Sequence, residues 1–188
     1  LNELDKAIKD VNKAIKLNPK LDWNYSVKGN ILTKLGKLEE AETTFGLAIE
    51  INPNSPEAYF SRGFFYEEIK EYEKSELDYI KSEKLGLVNK ASLFNNFAVL
   101  YRRQKRFDKA IEYLDKARKE NPNFPNIDGT LALIYADKGE EENFYKYLLV
   151  ALEKGCPIWK YLNDTGFNKY REQEKLKLLI ESYKKKYV

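Results

Sequence analysis

The sequence predicts an all-α protein, a solenoid of stacked antiparallel helix pairs with a capping helix at its C-terminus. Three observations predict it. Small residues recur at Ala14, Ala48, Ser82, Ala117 and Ala151, in steps of 34 or 35 residues. A second series, Gly29, Gly63, Ala98 and Ala132, keeps the same steps. Asparagine–proline pairs at Pro19, Pro53 and Pro122 punctuate the same period. Helical repeats of this length bury each unit against its neighbours, and they point to a binding surface more than to catalysis.

The chain opens on a helical segment, 4–17, the second helix of a truncated first repeat that spans 1–19. Asn18-Pro19 ends it, because proline donates no backbone hydrogen bond and disfavours helix in the residue before it. The first complete repeat, 22–55, carries helices at 22–35 and 37–51, split at Gly36 and closed at Pro53. The second, 56–90, carries 56–69 and 72–85, split at Lys70-Glu71; Gly86 stands where a proline would close it. The third, 91–124, carries 91–104 and 107–120, split at Lys105-Arg106 and closed at Pro122. The fourth, 125–156, is an atypical terminal repeat with helices at 125–138 and 141–154, split at Gly139. Helices of about 14 residues hold only by packing.

Residues 157–188 form a capping segment and helix. Trp159, Tyr161 and Leu162 read as a short apolar turn. From about residue 168 an amphipathic helix places Leu176, Leu179, Ile180, Tyr183 and Tyr187 on one side, and Lys184, Lys185 and Lys186 suit the negative end of its dipole.

The small residues have a steric purpose, since two helices cross closely only where one side chain is short. Tyr25, Tyr59 and Phe94, then Leu32, Tyr66, Tyr101 and Tyr135, fill the spaces around them on the first helices. Phe45, Tyr79, Leu114 and Leu148 do so on the second.

With these residues in place the chain resembles the tetratricopeptide repeat (TPR) family. Its pattern of a bulky residue, Leu-Gly, Tyr, Ala, Phe, Ala and a closing Pro is matched in the third unit by Phe94, Phe97-Ala98, Tyr101, Ala110, Leu114, Ala117 and Pro122. The resemblance covers Leu4 to about Cys156 and implies a right-handed superhelix. Two residues depart from it in the last repeat: Phe144 replaces a small residue, and Asp128 replaces a bulky one.

Composition narrows the function. The chain has no histidine and one cysteine, Cys156, so it offers neither a histidine-based triad nor the usual zinc ligand sets. No glycine-rich phosphate loop is present, and no catalytic residue, cofactor or metal is expected. A net charge of +3, from 33 basic and 30 acidic residues, is too balanced for nucleic acid. No run of 18 apolar residues is present, so no membrane contact is expected in this segment. Without methionine and opening in mid-repeat, the chain is expected to be part of a longer one. A cytoplasmic setting is favoured, with export left open.

Function is expected on the first helix of each pair. Helical spacing projects Trp23 and Asn30, then Phe60 and Phe64, then Asn95, Asn96, Val99, Arg102 and Arg103, into a concave groove. The aromatic residues suit a partner's apolar side chain, the asparagines an extended backbone, and the arginines an acid. The chaperone-tail clamp known in the resembled family needs basic residues. The corresponding places here hold Ser26, Asn30, Ser61, Ser92 and Asn96, or one repeat later Phe60, Phe64, Asn96, Asn126 and Thr130. A chaperone C-terminal tail is therefore not the expected partner. The sequence reads as a non-catalytic scaffold for a protein or extended peptide. Two alternatives stand beside it: the docking or regulatory arm of a larger enzyme or sensor, and weak self-association through the open half-repeat or the cap.

Overall fold

The computed structural model describes residues 2–156 and 164–187. Trp159, Tyr161 and Leu162, and the side chains of Lys184, Lys185, Lys186 and Tyr187, lie outside the described residues. All regular elements among the described residues are helical: α1 (Asn2–Leu17), α2 (Asp22–Lys34), α3 (Leu38–Ile51), α4 (Pro56–Glu68), α5 (Tyr72–Lys84), α6 (Lys90–Arg103), α7 (Phe107–Glu120), α8 (Asn126–Lys138), α9 (Glu141–Glu153), a 3₁₀ turn (Thr165–Phe167) and α10 (Glu174–Tyr187). The helices agree with the spacing to within a residue or two, except that α10 starts about one and a half turns later than its pattern suggests. The chain forms two compact units that divide between Leu93 and Phe94.

One turn geometry follows α2, α4, α5, α6, α8 and α9. Gly36, Lys70, Gly86, Lys105, Gly139 and Gly155 all have positive φ, at 66° for Lys70 and 59° for Lys105. The next residue's N–H then reaches back to a carbonyl five residues earlier: Lys37 to Leu32, Glu71 to Tyr66, Leu87 to Ser82, Arg106 to Tyr101, Glu140 to Tyr135 and Cys156 to Ala151. These bonds satisfy carbonyls that a helix end leaves without partners. Lysine therefore does the same work as glycine at two of the turns.

At the Asn-Pro breaks, the Asn52 and Asn121 side chains accept from the N–H groups of Asn54 and Asn123. These local bonds stabilise the turn that proline forces. Ser55 caps α4 by accepting from the Ala58 N–H at 3.2 Å.

In the first unit, α2 pairs with α3 and α4 with α5, while α2 also lies against α4. Close crossing depends on the glycines. A β-carbon on Gly29 would stand 2.7 Å from the Phe45 ring, and one on Gly63 the same distance from the Tyr79 ring. The Phe45 and Phe65 rings lie 5.4 Å apart in a core with Leu32, Ala41 and Tyr66.

In the second unit, Tyr113 of α7 packs on Phe97 and Tyr101 of α6, with centroids at 4.6 and 5.2 Å. Helix α8 pairs with α9. The cap closes this unit: Leu176 and Ile180 of α10 join Leu148, Leu152 and Cys156 in one buried cluster. The departure at Phe144 now has a cause. It is fully buried and stacks on Tyr170 at 4.2 Å, so the large ring fills space against the cap segment. Asp128, the other departure, is 3% exposed and sits between Arg118 at 3.1 Å and Lys154 at 2.6 Å.

Candidate partner-binding faces

The candidate residues lie on first-helix faces, one in each unit. On α2, Trp23 lies one turn before Ser26, and Asn30 follows one turn later. Trp23 is 55% exposed, Asn30 is half-buried and Ser26 is buried. On the adjacent α4, Phe64 is 42% exposed. Among the described residues, Trp23 and Phe64 are the only exposed aromatic side chains, and both stand at positions that the repeat does not use for its core. Phe60 is half-buried, its ring 5.8 Å from that of Tyr79.

The polar groups nearby are mostly committed. Thr33 donates to the Gly29 carbonyl at 2.9 Å. Glu67 is buried and accepts from the Tyr79 hydroxyl at 3.0 Å. Arg62 forms a two-point pair with Asp78, Nε to Oδ2 at 2.7 Å and Nη2 to Oδ1 at 2.9 Å, which holds the guanidinium charge in place. Tyr66 donates to Glu42 at 2.8 Å. Burial, then that bond, pushes the Tyr66 hydroxyl pKa up to about 12. The exposed part of the face is thus aromatic, bordered by Asn30.

The second unit differs from what helical spacing suggests. Asn96, Val99 and Arg103 are half-buried. Asn95, read above as a backbone ligand, is 5% exposed, and its Oδ1 accepts from Thr130 at 3.0 Å. Arg102, read as a cation for a partner's acid, is 3% exposed. Its Nη1 donates to Asp137 at 2.9 Å and to Asp164 at 3.0 Å, and its Nη2 donates to Asp164 at 2.6 Å. The spacing places both residues on one face of α6. It could not show that other parts of the unit already cover that face. One signal was available: an aspartate two residues before a glycine forms a local turn, and Asp164 does accept from the Gly166 N–H at 2.9 Å.

Among the described residues no group of histidine, cysteine, aspartate or glutamate is arranged to hold a metal ion, and no helix is long and apolar enough to cross a membrane. Cys156 is buried, and its thiol lies 3.8 Å from Asn126 Oδ1.

Paired helices of this length, joined by one repeated turn and presenting their first helices, define a helical-repeat protein. Models of the tetratricopeptide repeat match residues 1–21, 29–70 and 91–124, and the chain belongs to that family. It is 34% identical over 130 residues to the Sol locus transcriptional repressor of Clostridium acetobutylicum, covering 67% of this chain and 40% of the relative. It is 28% identical over 127 residues to the Hsp70-Hsp90 organising protein of Plasmodium falciparum, covering 64% of this chain and 22% of the relative. The chain thus spans less than half the length of these curated relatives. The crystal structure of MamA resembles it with a TM-score of 0.62 and 25% identity, covering 85% of this chain and 93% of that one. The family and these neighbours make the chain a protein-interaction scaffold.

Proposed function

We propose that the chain is a non-catalytic module whose first-helix faces take up an extended peptide or a segment of a partner protein. The observation that carries this is the exposure of Trp23 and Phe64, two aromatic side chains left in water at positions free of core packing. Large aromatic side chains supply most of the binding energy at such surfaces when a partner desolvates them. Asn30 offers a donor and an acceptor beside them. On the second unit, Asn96, Val99 and Arg103 remain the candidates. The partner is not an acidic chaperone tail, because the clamp places carry no basic residue in either frame.

The test starts with peptides selected from a random phage-displayed library against the whole chain. Each is then titrated against Trp23→Ala, Phe64→Ala and, on a second helix, Leu77→Ala. Both aromatic variants should lose more than about 1 kcal/mol of binding, with Leu77→Ala unchanged. Equal affinity across all three, with the helical fold intact, places binding elsewhere. Asn96→Ala and Arg103→Ala test the second unit by itself. A peptide ending in acidic residues should not bind.

A further inference from the structure

In the second unit the chain binds a carboxylate of its own. Asp164 and Arg102, 62 residues apart, meet through two parallel hydrogen bonds at 2.6 and 3.0 Å, the fork geometry by which arginine recognises a carboxylate. The Arg102 side chain is 2% exposed, and Asp137 holds its Nη1 from the other side at 2.9 Å. Gly166 presses on the same face: a β-carbon there would stand 3.1 Å from Leu133 and 3.2 Å from Arg102 Nη1. Phe167 then turns inward, fully buried, its ring 5.8 Å from that of Phe144. Arg102 is a position that helical spacing directs toward a partner.

A cap needs apolar residues such as Phe167 and Tyr170, but it does not need a buried arginine aimed at a carboxylate. Such a pair adds little net stability over apolar side chains of similar size, because both charges must leave water. We infer that Asp164–Phe167 is an intramolecular ligand, occupying a carboxylate-binding site on the second unit from which a partner segment displaces it. The partner segment carries an aspartate, a glycine two places on and then an aromatic residue. The glycine is favoured by the close approach at Gly166, where a β-carbon would press on the ends of Leu133, Arg102 and Asp137, and the aromatic by the buried place that Phe167 fills.

This inference rests on the reading of first-helix faces as partner surfaces. Its test uses the chain's own segment supplied from outside, so no external partner has to be found, and the Trp23 and Phe64 titrations decide the wider reading separately. A fluorescein-labelled peptide of the sequence Asp164–Tyr170 is titrated by anisotropy against the whole chain, against Asp164→Asn, and against Asp164→Asn combined with Arg102→Gln. The single variant should bind at least about tenfold more tightly than the unaltered chain, because its own segment no longer competes for the arginine. The double variant should lose that gain. Equal affinity for the first two proteins, or full binding by the double variant, overturns the inference. If Asp164→Asn does not fold, hydrogen exchange on the unaltered chain decides. Opening of 164–170 at lower free energy than α8 and α9 supports a replaceable ligand, whereas protection equal to that of α8 and α9 overturns it.

Discussion

The ring of Tyr79 stands where a side chain on residue 63 would begin. A β-carbon on Gly63 would lie 2.7 Å from Tyr79 Cδ1 and 3.3 Å from Asp78 Cβ. Tyr79 has no room to yield, being fully buried with its hydroxyl held by Glu67 at 3.0 Å.

Gly63→Ala should therefore destabilise the chain. Overpacking costs about 1–3 kcal/mol, against a gain in helix propensity of about 1 kcal/mol. Gly46, inside α3, has nothing within 4 Å of its missing β-carbon, so Gly46→Ala should gain about 0.5–1 kcal/mol. Urea midpoints of the two variants should move in opposite directions.

The turn at Lys70 makes a second prediction. A side chain in the left-handed region costs roughly 1–2 kcal/mol, while glycine adds about 0.5–1 kcal/mol of unfolded-state entropy. Lys70→Gly should then stabilise by up to about 1 kcal/mol, and Gly36→Ala should destabilise. Thermal melts of the two proteins check both signs.

Neighbouring phenylalanines should separate binding from folding. Phe65 is 1% exposed and Phe64 is 42% exposed. Phe65→Ala should cost about 3–5 kcal/mol of stability, and Phe64→Ala about 0.5 kcal/mol or less. Denaturant titration gives both values; a large loss at Phe64 would make it a packing residue.

The fold was legible because its signals are local and repeated. The spacing of Gly29, Gly63, Ala98 and Ala132 marks the helix crossings, and Gly36 and Gly139 mark turns whose geometry Lys70 and Lys105 share. That Trp23 and Phe64 stand off the core positions was legible from helical register, and in the structure both side chains are exposed. Arg102 and Asn95 were not legible as buried residues. Their burial depends on Asp164, Asp137 and Thr130; the repeat relates residues 35 places apart without saying that they bond, and it carries no information about a segment 62 places away.

Tyr66 should contribute to alkaline unfolding. Burial and the bond to Glu42 raise its pKa from 10.0 to about 12, so the fold favours the neutral hydroxyl. Its stabilising contribution is complete below pH 10 and is lost as pH rises toward 12. In Tyr66→Phe that part of the fall should vanish. Melting temperatures of both proteins at pH 9 to 12 supply the comparison, and parallel curves would refute it.

Cys156 should react slowly. Burial, with the nearby Asp128 charge, raises its thiol pKa to about 11, so little thiolate exists at pH 8 and access is poor. Labelling with a disulfide reagent should be slow until denaturant opens the second unit. Rapid labelling of the folded chain would show that the region around Cys156 opens readily.

Phe144 bears on how such an array can grow over generations. The repeats keep a small residue at this place, in Ala41, Ser75 and Ala110, whereas the terminal unit spends it on a ring that stacks with Tyr170. Copying residues 56–90 in tandem would insert another unit bearing Ser75 and leave that ring untouched. Copying residues 125–156 would instead set the first copy's Phe144 against a helix in place of Tyr170. Duplication of an inner unit thus keeps every crossing residue small, whereas duplication of the unit at 125–156 calls for a second change at residue 144.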